Sequence, residues 1–134
     1  MGINAKQWGS QAWHFIHSVA YTYPENPTES EKDNYLAFIN SLSKVLPCSI
    51  CSEHFMQILQ YMPPKLDSQQ DFFNWSIDVH NEVNKSNGKP ILSYEDALNQ
   101  FYLNSVKNLE VDEDSRLFSI KAKHILNNIK KLKT

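Results

Sequence analysis

Proline divides this chain into blocks, and inside each block the apolar residues recur at intervals of three and four. Pro24, Pro27, Pro47, Pro63, Pro64 and Pro90 each remove a backbone donor and push the preceding residue out of the helical region. The first block predicts a helix over residues 4–23, with Trp8, Ala12, Phe15, Ile16, Val19 and Ala20 on one broad face. Thr28 and Glu31 form a capping box that opens a second helix bearing Tyr35, Phe38, Ile39, Leu42 and Val45. A third helix opens at the cysteines after Pro47 and carries Phe55, Ile58, Leu59 and Met62. Ser68 caps a fourth, which holds Phe72, Phe73, Trp75, Ile77, Val79, His80 and Val83 and closes at 86-SNGKP-90. Ser93 and Asp96 open a short fifth helix with Ala97, Leu98 and Phe101. Past the acidic stretch 110-EVDED-114, which reads as a joint, Phe118, Ala122, Ile125, Ile129 and Leu132 mark one stripe of a further C-terminal helix. With only 3 glycines and no strand-like alternation, the expected class is all-α, a helical bundle.

A chain of 134 residues is long enough to bury a core without staples. Its formal net charge of −2 argues against a nucleic-acid footprint spread over the protein. Lys121, Lys123, Lys130, Lys131 and Lys133 are unopposed in residues 117–134, which leaves −7 for the remainder. Such a tail usually marks the solvated face of a terminal helix, and the other reading is contact with an acidic or phosphate-bearing partner. No signal peptide is apparent, and no apolar run approaches the roughly 18–20 residues that span a bilayer. Two cysteines are too few for a secreted disulfide scaffold, so a membrane role and a staple role are both set aside.

Both cysteines lie in 47-PCSICSEHF-55. Cys48 and Cys51, three apart where a helix begins, can form a disulfide, and the positive end of the helix favours a thiolate there. Thiol–disulfide exchange is the leading reading of the pair. Zinc competes, through Cys48, Cys51 and His54 with His80 as a fourth ligand, although no second close pair of ligands is evident. An inert buried pair is the third possibility. No βαβ setting surrounds the pair, which excludes a thioredoxin.

Two further faces carry chemistry. In 75-WSIDVHNEVNKSNGKP-90, His80 and Asn84 stand at i and i+4, with Lys85 and Lys89 following. An aromatic ring system bearing a phosphate chain would use such a set for stacking, amide hydrogen bonds and positive charge. The alternative is that Trp75 is core, His80 a satisfied histidine and the lysines solvated. In 13-WHFIH-17, Trp13 and His17 also share a face.

Together and in this order, the three pieces resemble the Erv/ALR family of FAD-linked sulfhydryl oxidases. The resemblance rests on Trp13, His17, Ala20, Tyr23 and Pro24, then Pro47, Cys48 and Cys51, then Trp75, His80, Asn81, Val83, Asn84, Gly88, Lys89 and Pro90. It covers residues 8–102 and implies a four-helix bundle with a short fifth helix, followed here by an extra C-terminal helix. On this reading residues 1–104 are the FAD-binding oxidase domain and 105–134 an extension to which the family assigns no role.

The resemblance implies FAD as cofactor, with Cys48 and Cys51 catalytic. It implies that Gly9, Trp13, His17, Tyr23, Trp75, His80, Asn81, Asn84, Lys85, Lys89, Phe101 and Tyr102 surround the cofactor, and it implies no metal. A dithiol would attack Cys48, Cys51 would relay electrons to the flavin, and O2 would accept them as hydrogen peroxide. Ser10 stands where many members have Arg, and Ile77 where many have a structural cysteine. No second, shuttle cysteine pair is present, so the substrate is either a dithiol protein acting directly or a separate small shuttle protein. A homodimer built on the first helix is expected. The compactness, with the Trp8–Gly9 opening, looks like the oxidases of large DNA viruses, which implies action in infected-cell cytoplasm or the virion.

Overall fold

The computed structural model describes residues 2–107 and His124. Residues 2–107 form five α-helices in chain order: α1 (Ala5–Tyr21), α2 (Glu29–Lys44), α3 (Ser49–Tyr61), α4 (Gln69–Ser86) and α5 (Tyr94–Val106). The expected stripe at Phe118–Leu132, its five lysines and the 110-EVDED-114 joint lie outside the described residues. The chain divides into two compact units, Met1–Pro90 and Ile91–Thr134.

The helix starts are chemical. Asn4 accepts from the Lys6 amide, Ser68 from Asp71 and Ser93 from Asp96. Thr28 and Glu31 exchange both bonds of a capping box at 3.0 and 3.1 Å. Each satisfies N–H groups that a first helical turn leaves without a partner. Glu29 and Glu31 in α2 and Glu95 and Asp96 in α5 add negative charge where the helix dipole is positive.

In the first unit α1 packs on α4, α2 on α3, and α3 on α4. Helix α4 is the central member. Phe72, Phe73, Trp75, Ser76, Ile77 and Val79 are all buried, so apolar contact surrounds most of its first three turns. Ile16, Ala20 and Tyr21 of α1, Ile39 of α2, and Phe55 and Ile58 of α3 complete the core. Removing each of the Ile and Phe side chains among these from water contributes about 1.5–3 kcal/mol. Tyr23 stands edge-on to both Tyr35 and Phe72 at 4.8 and 5.0 Å, and Phe72 stacks against Trp75 at 5.6 Å.

Two residues of the expected apolar faces lie outside this core. Phe15 is 59% exposed and Val45 70% exposed. Phe15 follows the α1 period but falls at the stripe's outer edge, where its neighbour is Phe38 of α2, edge-on at 6.3 Å. Val45 is the C-cap of α2, where the helix ends and its amide donates to Leu42 O. In the second unit, Leu98 and Phe101 of α5 are buried. No helix among the described residues is long and apolar enough to cross a membrane.

Candidate active site

The start of α3 is capped by a sulfur. Cys48 has extended backbone angles, and its side chain accepts from the Cys51 amide at 3.2 Å. Cys48 and Cys51 are joined as a disulfide, with Cα atoms 5.2 Å apart. Both are half-buried. With the bridge made, neither sulfur is available as a zinc thiolate, and the zinc reading loses its two strongest ligands. Ser52, buried behind the pair, fixes the preceding loop by accepting the Leu46 amide at 3.1 Å. The helix dipole and the Cys51 N–H thus face Cys48 Sγ, and both favour an anionic sulfur when the bridge opens.

Cys51 and Phe55 lie one turn apart on the same face of α3. Phe55 meets Trp13 edge-to-face at 6.3 Å. Trp13 in turn stacks on His80, with ring centroids 4.2 Å apart and planes 10° from parallel, and also faces His17 at 5.9 Å. A continuous set of aromatic rings therefore leads from the disulfide helix to α1 and α4. It is the central feature of the site.

Hydrogen bonds fix the histidines. Ser76 donates its only hydroxyl proton to the Phe73 carbonyl at 2.6 Å. Its oxygen, 2.9 Å from His17 Nδ1, must then accept from an Nδ1–H. Burial, with smaller contributions from His80 and His14, pushes His17 down to about 3, so the ring is neutral and Nε2 carries a lone pair. That lone pair lies 3.1 Å from His80 Nδ1, which therefore donates. Burial and the nearby Lys89 hold His80 at about 4, so it too is neutral. The chain of assignments ends with His80 Nε2 as a hydrogen-bond acceptor.

The end of α4 completes the set. Gly88 has φ +69°, and the Gly88 and Lys89 amides donate to Lys85 O at 3.2 Å and Asn84 O at 2.8 Å. This crossed pair is a Schellman closure, and glycine adopts its left-handed backbone without a Cβ penalty. Asn81 and Asn84 are half-buried on α4, whereas Lys85 and Lys89 are exposed.

The structure thus brings Trp13, His17 and His80 together, places Asn81, Asn84, Lys85 and Lys89 farther along the same helix end, and sets Phe55, one turn after Cys51 on the disulfide helix, against Trp13. Tyr23 and Trp75 sit elsewhere, deep in the core. Each is at most 2% exposed, with the Tyr23 hydroxyl donating to Leu66 O at 2.8 Å and the Trp75 indole to Met62 O at 2.9 Å. Gly9 lies within α1, where a Cβ would meet no atom within 4 Å. Phe101 is buried and Tyr102 half-buried on α5, in the second unit. Sequence reasoning missed Ser76 and Phe55 as site residues. The signal was present: Ser76 is one turn before His80, and Phe55 one turn after Cys51.

The Erv1 / Alr family model matches residues 10–102. The chain belongs to the Erv1/Alr family. A mimivirus protein named as a probable FAD-linked sulfhydryl oxidase is 40% identical over 72% of this chain and 69% of its own length. The African swine fever virus (Kenya isolate) FAD-linked sulfhydryl oxidase is 30% identical over 77% of this chain and 87% of its own length. The FAD-linked sulfhydryl oxidase ERV1 of Arabidopsis thaliana is 37% identical, and there the match spans about half the relative, 49%. Among solved structures, the FAD binding domain of Erv1 from Saccharomyces cerevisiae superposes with a TM-score of 0.66 at 32% identity, covering 68% of this chain and 87% of that one. The yeast Erv1 core gives 0.68 at 27% identity, with 82% and 90% covered. The all-α Erv1/Alr fold expected from the sequence is the one observed.

Proposed function

We propose that this Erv1/Alr protein is an FAD-linked sulfhydryl oxidase that converts protein dithiols to disulfides and passes the electrons to O2. The observation that carries the reading is a Cys48–Cys51 disulfide at the start of the helix whose Phe55, one turn after Cys51, meets Trp13 of the stacked Trp13–His80 pair. The names of the relatives support it, and so does the chemistry of the residues. FAD needs aromatic faces, donors and acceptors for its hydroxyls, and positive charge for its diphosphate. Trp13 and His80 offer ring faces, and His80 Nε2 is an acceptor suited to a hydroxyl. Asn81 and Asn84 offer amides, and Lys85 and Lys89 offer charge. The donor set fits the group.

Bound FAD supplies a two-electron sink that re-forms the cysteine bridge and delivers the electrons to O2 as hydrogen peroxide. The protein's own part comes first. A substrate thiolate attacks Cys48 Sγ, the Cys48–Cys51 bond breaks, and Cys51 leaves as a thiolate on the face of α3 that carries Phe55. The second substrate thiolate then attacks the substrate sulfur of the mixed disulfide and expels Cys48 as a thiolate. The amide at the start of α3 makes Cys48 a good leaving group. The substrate departs as a disulfide, two protons are released, and two electrons remain on the pair.

Residues 1–104 form the oxidase domain in this reading, with 105–134 as an extension. The dithiol in this reading is either the substrate protein itself or a separate small shuttle protein. A homodimer through α1 and α2 is supported by Phe15 and Leu36, 59% and 38% exposed on those helices. The viral relatives support action in host cytoplasm or virion.

The test is spectroscopic and kinetic. The purified protein is expected to show flavin absorbance and to consume O2 when given a dithiol. Cys51→Ser is expected to keep the flavin and lose oxygen consumption. Turnover at the wild-type rate in Cys51→Ser would defeat the proposed relay.

A further inference from the structure

We propose that residues 2–8 form a strap that positions Cys48, with Gly2, Ile3 and Trp8 as its working residues. The inference deepens the oxidase reading and rests on it for the consequence to turnover, although the contact itself does not.

Two observations place the strap on the redox loop, and a third ties it to α1. The Ile3 amide donates to the Pro47 carbonyl at 2.7 Å. The Trp8 indole Nε1 donates to the Ile3 carbonyl at 2.9 Å, which ties the strap to α1. Gly2 lies flat against the loop: a Cβ there would sit 2.8 Å from Pro47 O and 2.9 Å from Cys48 Cα. Both are backbone atoms that cannot swing aside, so any larger residue must lift the strap or displace the loop.

The consequence follows from how Cys48 is used. Its sulfur must stay at the α3 cap to accept the Cys51 amide, because that contact favours the anion both when Cys48 leaves the mixed disulfide and when the pair recloses. Ser52 holds the loop from the α3 side through Leu46. The strap holds it from the α1 side through Pro47 and Cys48. Helix α1 also carries Trp13, so the strap ties the attacked sulfur to the helix whose rings border the site. None of the three strap residues touches the reacting atoms. They are positioning residues.

Gly2→Ala, Ile3→Pro and Trp8→Phe each remove one contact: the close approach, the donor to Pro47, and the donor to Ile3. The test measures two quantities on the full chain. The first is the pH profile for iodoacetamide alkylation of the reduced pair, with Cys48 followed by mass spectrometry. The second is kcat/KM for dithiol-driven O2 consumption, with flavin content read from absorbance. The strap predicts a Cys48 alkylation midpoint about one pH unit higher in each variant. It also predicts kcat/KM lower by about tenfold for that loss of leaving-group stabilisation. Flavin content and thermal midpoint are expected to be retained, because the affected contacts lie at the edge of the bundle.

Unchanged alkylation profiles in all three variants would overturn the strap, whatever the activity. A purely structural role would lower the thermal midpoint without moving the profile, and that result also counts against positioning. A wild-type protein that consumes no O2 sinks the oxidase reading while the alkylation arm still decides the strap.

Discussion

Lowering the pH from 7 to 5 is expected to destabilise the fold through two particular side chains. His17 and His80 are held at about 3 and about 4, against 6.5 for the unfolded chain, chiefly because burial disfavours their charged forms. The unfolded chain therefore binds protons that the folded one refuses. Stability contributed by these histidines is full above pH 6.5 and falls as the pH drops through the window between 6.5 and their folded values. One pKa unit corresponds to about 1.4 kcal/mol, so by pH 5 each histidine costs about 2 kcal/mol and the pair about 4. That is a large fraction of the roughly 5–15 kcal/mol by which a domain is stable. Urea unfolding of the cofactor-free chain at pH 7 and pH 5 measures the difference. The same comparison in a His17→Gln, His80→Gln double variant removes contributions shared with the carboxylates. Equal loss in wild type and double variant would show that the two rings are charged in the fold, and the assigned hydrogen-bond directions would fall with that result.

Two further outcomes follow from the same site. Ser76→Ala removes the acceptor for His17 Nδ1–H in a position with no solvent access, and is expected to cost about 1–3 kcal/mol; an unfolding free energy equal to wild type would mean that His17 uses its other tautomer. Gly9→Ala is expected to raise the stability of the cofactor-free chain by about 0.5–1 kcal/mol, since the added methyl meets open space and α1 gains helix propensity. Flavin affinity in that variant tests the placement of Gly9 at the cofactor: a weaker Kd supports it, and an unchanged one removes Gly9 from the site.

The helices were legible because their signals are local. Pro24, Pro47 and Pro63 mark the ends, and Thr28 with Glu31, Ser68 and Ser93 mark the starts, all within one turn of the boundaries observed. Local pattern does not say which rings meet. Trp13 and Trp75 look alike as apolar helical residues, yet one stacks on His80 and the other gives its indole proton to Met62 in the core. Ser76 reads as a neutral helix residue until His17, 59 positions away, is found against it. Phe15 has the right period for burial and still faces outward, because the stripe of α1 is wider than the surface that α4 presents to it. Family resemblance narrowed the choice among rings, and tertiary contact decided it.

The turn at Gly88 does more than bring a helix to its end. By closing the backbone onto Asn84 and Lys85, it leaves Lys89 close enough for the ammonium to weigh on the His80 ring. One left-handed residue thereby couples chain direction to local potential: the fold sets down a cation beside an uncharged imidazole, leaving the ring a lone pair to offer and the lysine an anion to greet.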